Sequence, residues 1–428
     1  MVEQGCGTLS LGIDCGTSAL KAMVIDAQGQ IHHADRIPLR DPADPYQWRA
    51  ALEQVLQTIP PALKPRIDHI AIAGTSGTVL LVDDRGEPVA PVLLYNDARA
   101  VVCLEELQRY VPAPHLVLSA TSSLAKVFWY ARQGLELRGL YLLHQADWLG
   151  FWLHGQLGVS DAHNALKLGY DPGARRYPDW FADLPVPVRF PQVLIPGAVV
   201  GALRPEVAPR FGLPPACSVH AGTTDSIAAF IASGANQVGD GVTSLGSTLA
   251  LKLLSDRRID DPTTGVYSHR LGDLWLVGGA SNTGGAVLSH FFSAQELEDL
   301  SARINPLVPL DLGYYPLLKP GERFPICDPH LAPRLDPRPD DPVQFLQALL
   351  TAMARIEAEG YRLLQTLGGP ALQRVFTSGG GSRNPTWQAI RQQLLGVPVL
   401  VAQQQEAAWG TARLAQGLPD RLNAEINC

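Results

Sequence analysis

The chain has 428 residues, 46% of them hydrophobic and 18% charged, which is enough apolar material for two or three domains with buried cores and excludes a disordered or fibrous polypeptide. The formal net charge of −7, with no run of lysine and arginine, excludes an extended nucleic-acid-binding face. No stretch reaches the ~18 apolar residues of a membrane span, the 6 cysteines are scattered without a C-x-x-C pair, and the first residues lack a charged-then-apolar leader; a cytoplasmic protein with neither membrane nor nucleic-acid partner is expected.

The first informative segment is Leu11-Gly12-Ile13-Asp14-Cys15-Gly16-Thr17-Ser18-Ala19-Leu20-Lys21. It predicts strands over residues 9–14 and 20–26, joined by a glycine-permissive turn lined with hydroxyls; a third strand over 31–38 follows Asp26-Ala27-Gln28-Gly29. Backbone N–H groups, a hydroxyl and a lysine suit phosphate oxygens. The Asp14 carboxylate would repel a bare phosphate, so it makes sense facing Mg²⁺ or a substrate hydroxyl.

An amphipathic helix is predicted over 48–57 and a buried strand over 68–74. The strand ends in Gly74-Thr75-Ser76-Gly77-Thr78, whose hydroxyls suit a sugar or simply make a turn. A hairpin of residues 79–82 and 89–94 comes next, then the polar Asn96-Asp97-Ala98-Arg99 and helices over 98–110, 122–133 and 146–153, with Trp129 expected in the core. Proline-rich loops fill 185–215. A strand over 218–222 leads through Ala221-Gly222-Thr223-Thr224-Asp225-Ser226 into a helix over 224–233. Phosphoryl transfer to an alcohol needs a carboxylate that accepts the hydroxyl proton, and Asp225 is placed either for that task or as a helix cap.

Half a chain later the opening design returns as Val242-Thr243-Ser244-Leu245-Gly246-Ser247-Thr248-Leu249-Ala250-Leu251-Lys252. Strands are expected over 242–254, 265–269 and 274–278, the last running into the glycine-dense loop Gly278-Gly279-Ala280-Ser281-Asn282-Thr283-Gly284-Gly285. Helices over 294–304 and 342–366 flank an ordered, proline-dense insertion. A strand over 374–378, the flexible turn Gly379-Gly380-Gly381-Ser382-Arg383-Asn384, a helix over 385–395, a strand over 397–401 and a helix over 407–416 close the chain. A glycine turn between strand and helix lets a flat ring or a phosphate approach bare backbone. His32, His33, His115 and His290 show no metal-ligand spacing. Strands first, then helices alternating with single strands, imply α/β layers with mixed sheets in both halves.

Taken in order, Gly-Ile-Asp-x-Gly-Thr with Lys21, Ala-Gly-Thr-Thr-Asp-Ser, Ser-Leu-Gly-Ser-Thr and Ser-Gly-Gly-Gly-Ser-Arg-Asn resemble the FGGY carbohydrate kinases of the actin, hexokinase and Hsp70 superfamily, along essentially the whole chain. Arg355-Ile356-Glu357-Ala358-Glu359-Gly360-Tyr361 resembles a helix motif of the second domain. Residues 74–81, 121–126, 145–149, 163–170 and 265–285 resemble the short pentulose kinases of cyanobacteria and plant plastids, the D-ribulokinase type. Typical xylulose kinases carry tryptophan where Tyr95 stands before Asn96-Asp97-Ala98-Arg99.

The resemblance implies two ribonuclease-H-like domains flanking a cleft, with mixed sheets and helices on both faces. The first would span 1–233, with a closing helix near 406–424 packing back on it, and the second 234–405. It implies an ATP- and Mg²⁺-dependent kinase acting on the terminal hydroxyl of a ketopentose, D-ribulose first and D-xylulose as the alternative. Asp225 would be the base, Asp14 the ligand of sugar and metal, Thr17, Ser18 and Lys21 the grip on the transferring phosphoryl group, and Ser76 a sugar contact. Gly246, Ser247 and Thr248 would hold the tail phosphates, and Gly380, Gly381, Ser382 and Asn384 would meet the adenosine. A silent sugar or nucleotide sensor and a chaperone-like ATPase are the rival readings on the same fold.

Overall fold

The structure is a computed structural model and describes residues 7–308 and 310–418. It divides into one unit of residues up to 232 together with 406–418, and a second of 233–405. The last stretch of the expected closing helix, 419–424, lies outside the described residues.

In the first unit, β1 (Leu9–Cys15), β2 (Ala19–Asp26) and β3 (Ile31–Pro38) form an antiparallel meander. After α1 (Pro45–Thr58), β4 (Ile67–Gly74) pairs parallel to β1. β5 (Val79–Val82), α2 (Leu104–Leu107), α3 (Ser123–Arg132), β6 (Tyr141–His144), α4 (Gln145–His154), β7 (Val159–Asp161), α5 (Ala162–Ala165), β8 (Gln192–Leu194), β9 (Val199–Ala202), α6 (Val207–Phe211), β10 (Ser218–His220), β11 (Thr223–Thr224) and α7 (Asp225–Ala232) follow. The sheet order is β3-β2-β1-β4-β10-β9, with β11 also pairing with β4.

The second unit repeats the plan. β12 (Asp240–Leu245), β13 (Leu249–Ser255), β14 (Tyr267–Leu271) and β15 (Leu274–Ser281) precede α8 (Gly285–Phe291), α9 (Ala294–Ser301) and α10 (Pro342–Thr366). Then come β16 (Arg374–Ser378), α11 (Pro385–Leu395) and β17 (Val399–Val401), giving the order β14-β15-β13-β12-β16-β17. In both units a glycine-turn hairpin, β1–β2 or β12–β13, lies beside the parallel strand that feeds the next functional loop.

β1 is buried almost end to end, as a strand covered on both faces must be. Leu9, Leu11 and Ile13 pack with Leu20, Val24 and the α1 residues Trp48, Leu52 and Val55. Another face of β1 is met by α12 (Ala407–Ala415), which returns to the first unit. The approach is backbone to backbone. A Cβ on Gly12 would stand 2.0 Å from Ala408 O and 2.2 Å from Ala412 N, and one on Gly410 would stand 1.9 Å from Ala228 O of α7. Only glycine fits at either position.

In the second unit α10 is capped by Asp341, whose side chain accepts from Val343 N, with Pro342 in the first turn. Its Glu357, fully buried, takes Arg391 Nε at 2.6 Å and Nη2 at 2.7 Å, and also the Thr243 hydroxyl at 2.6 Å. Arg391 Nη1 reaches Thr377 Oγ1 at 2.8 Å, so one buried ion pair ties α10 and α11 to β12 and β16. Such a pair is costly to break because the surviving charge is stranded.

Several local expectations fail for physical reasons, among them the glycine loop expected over 278–285, whose residues 278–281 belong to β15. The helix expected over 98–110 is a 3-10 turn, Arg99–Cys103, followed by the single turn of α2. Ala100, Cys103 and Leu107 are buried, while the β-branched pair Val101 and Val102 are 58% exposed and poor helix formers. The arm 89–94 is no strand: Pro88 and Pro91 remove donors, only the bridges Val79↔Leu93 and Val82↔Pro88 form, and β5 takes β6 as its partner. Placing a methyl at Gly12 tests the α12 seat: Gly12→Ala should lose about 3 kcal/mol or more in denaturant unfolding, near the upper end for overpacking, and retention of wild-type stability would show that α12 can shift.

Candidate functional site

The chemistry of the first unit gathers at the ends of β1, β4 and β11. Asp14 pairs across the hairpin with Lys21, and the turn residues Thr17 and Ser18 are exposed. Gly16 N closes the turn on Ala19 O at 3.1 Å. Asp225 opens α7 directly after β11, where the first-turn N–H groups favour negative charge, and its Oδ1 accepts Ser226 N at 2.6 Å. Burial, then the charge of Asp225, push the Asp14 carboxyl up from 3.8 to about 7; Lys21 works in the other direction and Glu406 adds to the rise.

Glu406 is a residue that sequence reasoning did not find. It stands at the N-terminus of α12 and holds Lys21 Nζ at 2.6 Å. Nothing local could have signalled it, because the partners are 385 positions apart. Both side chains are over a third exposed, so the pair aims the lysine more than it adds stability.

The loop 74–78 is built from beneath. Thr75 N and Oγ1 both donate to Gln145 Oε1 at 3.0 Å, and Gln145 Nε2 reaches Cys15 Sγ at 3.2 Å, so one glutamine ties this loop to the β1 end that carries Asp14. Lys126, fully buried, donates to Gly77 O at 2.7 Å and Leu94 O at 2.6 Å, and Lys167 Nζ donates to Ser76 O at 2.9 Å. Burial lowers the Lys126 ammonium to about 7, with the Lys167 charge adding to the fall. The loop therefore presents a fixed backbone, with Ser76 half-buried at its tip. Tyr95 is 42% exposed and its N–H donates to Thr78 Oγ1 at 2.9 Å, which joins residues 95–99 to the same loop. Trp129, expected as core, is half-buried with the Arg99 guanidinium 4.9 Å over its ring.

Carboxylates outnumber the lysine here, and Asp14 Oδ1 is buried without a hydrogen-bond partner. An orphaned carboxylate oxygen of this kind suits a cation. Among the described residues no three histidine, cysteine, aspartate or glutamate side chains form a metal cage. One carboxylate without a cage fits Mg²⁺ carried by nucleotide phosphates better than a resident metal.

In the second unit the β12–β13 turn has the same exposure pattern, with Ser247 and Thr248 exposed and Gly246 N closing on Thr248 O at 3.2 Å. Here Ser244 faces Ala250 where the first hairpin has Asp14 facing Lys21. The repeat keeps the phosphate-shaped turn and drops the charged pair. Two glycine loops pack onto it. Gly285 N donates to Gly246 O at 2.8 Å and Ala286 N to Ser247 O at 3.1 Å. A Cβ on Gly284 would stand 2.7 Å from Thr248 C, and one on Gly379 2.7 Å from Leu245 O.

The expected flexible turn at 379–381 is ordered: Gly379 has φ 83° and a 3-10 turn covers Gly380–Arg383. Within it the roles differ. A Cβ on Gly381 would stand 2.6 Å from the Trp387 ring and 2.8 Å from Leu245 Cβ, whereas one on Gly380 would meet nothing within 4 Å. Gly381 is a packing glycine and Gly380 the open one. Ser382 is buried and donates to Gly379 O at 2.7 Å. Asn384 accepts Trp387 N at 2.9 Å as the cap of α11 and donates to Ser301 Oγ at 2.8 Å. These two side chains build the turn.

Residues 9–232 match the N-terminal domain and residues 235–416 the C-terminal domain of the FGGY family of carbohydrate kinases. The chain belongs to the FGGY family of carbohydrate kinases. It is a phosphotransferase with an alcohol group as acceptor. A curated xylulose kinase of Streptomyces coelicolor is 28% identical over 96% of this chain and 88% of its own length, and one of Escherichia coli is 24% identical over 95% and 89%. The fold is shared with a Brucella ovis protein described as a xyloylose kinase, TM-score 0.85 at 24% identity over 97% of this chain and 92% of that one. It is also shared with a Plasmodium falciparum glycerol kinase with ADP, TM-score 0.82 at 17% identity over 96% and 89%. These findings place the chain among carbohydrate kinases; the two curated relatives named here are xylulose kinases, and the D-ribulokinase branch expected from the loops has no support in them.

Two outcomes follow. Asp14→Asn removes a charge that the fold disfavours. A carboxyl whose folded-state value is raised destabilises the fold above its unfolded value near 4, increasingly so up to about pH 7. In Mg²⁺-free buffer the variant should therefore melt higher than wild type at pH 8, by about 2–4 °C per kcal/mol regained, and equally at pH 4; a variant that melts lower at pH 8 would contradict the strain. Gly380→Val should keep the wild-type melting temperature and weaken ATP binding about tenfold or more in calorimetry, as steric loss of a backbone approach does; unchanged ATP affinity would remove Gly380 from the nucleotide face.

Proposed function

We propose that the protein transfers the γ-phosphoryl group of ATP to the terminal hydroxyl of a ketopentose, with Asp225 as the base. The observation that carries this reading is the placing of two carboxylates on either side of the end of β4: Asp14 on β1 is level with Ala73, Asp225 directly follows the β11 residue Thr224 that is level with Gly74, and Lys21 stands across the hairpin from Asp14. Asp225 accepts the hydroxyl proton as the sugar oxygen bonds to phosphorus and the bond from phosphorus to the ADP oxygen breaks. Asp14 orients the sugar. Lys21, held by Glu406, offsets charge on the transferring group, with the exposed Thr17 and Ser18 turn beside it. Ser76 and its braced loop meet the sugar. In the second unit Gly246, Ser247 and Thr248 take the tail phosphates, and the Gly380 face takes the adenosine. Mg²⁺ arriving with the nucleotide would neutralise phosphate charge, and Asp14 is the residue that would hold it. A cytoplasmic location suits this ATP-dependent chemistry.

For the identity of the sugar two observations diverge. The names of the relatives back D-xylulose, and more strongly than anything backs its epimer. Tyr95 in the place of a tryptophan, with the Gly74–Thr78 loop, carries the D-ribulose reading. The epimers differ at C3, and a buried group paired with one configuration is left unpaired by the other.

A coupled ADP-release assay over ketoses and polyols tests the whole reading. Turnover should require a ketopentose, and Asp225→Asn should lower kcat about 10²–10⁴-fold while ATP still binds. A larger kcat/KM for D-ribulose supports the loop reading; a larger value for D-xylulose assigns that sugar. Sugar-independent ATP turnover, or Asp225→Asn within tenfold of wild type, would overturn the proposal.

A further inference from the structure

The stretch from the end of β7, residues 161–167, reaches β11 as well as the Ser76 loop. Asp161, 1% exposed, caps α5: its Oδ1 accepts His163 N at 2.9 Å and Asn164 N at 3.0 Å, and its Oδ2 accepts Asn164 Nδ2 at 2.7 Å. From that fixed base two side chains reach one residue of β11. His163 Nδ1, on a ring 1% exposed, is hydrogen-bonded to Thr223 Oγ1 at 2.7 Å, and Asn164 Nδ2 reaches Thr223 O at 3.3 Å. Thr223 is fully buried and stands two positions before Asp225. A little further along the same stretch, Lys167 Nζ holds Ser76 O at 2.9 Å.

This arrangement answers a mechanical question. β11 pairs with β4 through Thr223↔Ala73 and Thr224↔Gly74 alone, a ladder too short to fix a carboxylate by itself. The hydroxyl and the carbonyl of Thr223 are both gripped from the other side by α5. Because these groups are buried, their hydrogen bonds are costly to lose and so hold one geometry. Through Lys167 the same short segment also sets the height of the Ser76 loop.

We propose that residues 161–167 form a brace that fixes the spacing between Asp225 and the Ser76 loop, and so the reach of the sugar's terminal hydroxyl to its base. His163 and Lys167 are then positioning residues, acting through Thr223 and the Ser76 carbonyl. The inference rests on the sugar-kinase reading with Asp225 as base. It adds an expectation for substrate choice: a brace that sets a distance selects for chain length, so loosening it should blur the preference between a ketopentose and a ketose one carbon longer.

The test uses the full chain with MgATP and four variants: His163→Leu, His163→Asn, Thr223→Val and Lys167→Met. Each is measured for kcat, sugar KM, ATP affinity by calorimetry and melting temperature. His163→Leu and Thr223→Val should each lower kcat about 10–100-fold, the range for a misplaced reacting group, with ATP affinity unchanged. His163→Asn, whose amide can stand in for Nδ1, should restore most of it. The double variant His163→Leu with Thr223→Val should be no worse than the poorer single variant, because both remove one bond. Lys167→Met should raise sugar KM more than it lowers kcat and reduce the ketopentose-to-ketohexose kcat/KM ratio at least threefold. Wild-type kcat in His163→Leu and Thr223→Val, whatever their melting temperatures, would overturn the brace, as would His163→Asn no better than His163→Leu. If His163→Leu does not fold, Thr223→Val, of closely matching shape, decides. Asp225→Asn run alongside separates the two failures: an active Asp225→Asn sinks the base assignment, whereas an inactive one beside unaffected His163 and Thr223 variants sinks only the brace.

Discussion

The unfavourable placing of the Asp14 carboxylate governs the first unit. It is half-buried on a strand otherwise sealed from solvent, it faces the charge of Asp225, and its Oδ1 is buried without a hydrogen-bond partner. A fold keeps such a group only when the surroundings over-determine it. Here they do: β1 is sandwiched by apolar packing, and α12 lies against it so closely that Gly12 and Gly410 admit no side chain. The same helix brings Glu406 to Lys21, the one cation paired across from Asp14. The closing helix is thus part of the site's electrostatics as well as its support.

The second unit shows what the shared plan is for by what it omits. Its hairpin turn likewise exposes two hydroxyls and is closed by a glycine N–H, one residue tighter than in the first unit, but Ser244 and Ala250 stand where the first unit places aspartate and lysine. A turn without carboxylates accepts an anion without needing a cation beside it. Beneath that turn, the Glu357–Arg391 pair with Thr243 and Thr377 fixes the strands from which the glycine loops spring. Charge is spent on rigidity in one unit and displayed in the other.

Much of this was legible in the sequence, for local reasons. The hairpins announce themselves by apolar runs around a glycine-hydroxyl turn, and α10 and α11 by proline and a capping Asp341 or Asn384 ahead of a periodic apolar face. The family followed from the order of the motifs. What stayed hidden depends on distance along the chain or on packing direction. Glu406 meets Lys21, Gln145 meets Thr75 and Cys15, and His163 meets Thr223 only once the chain has folded. Nor can a run of three glycines say which of them faces a ring of the core; Trp387 decides that for Gly381. The stretch 98–110 misled because its apolar residues suit a 3-10 turn as well as a helix.

The central claim is that a ketopentose, activated at its terminal hydroxyl, is what these carboxylates serve. Phosphorus NMR of the product formed from MgATP and the preferred ketopentose tests it most directly. The account predicts a phosphate monoester whose phosphorus couples to the two protons of the C5 methylene group, formed in step with ADP. An ester at any other carbon, or inorganic phosphate released without a sugar ester, would contradict it.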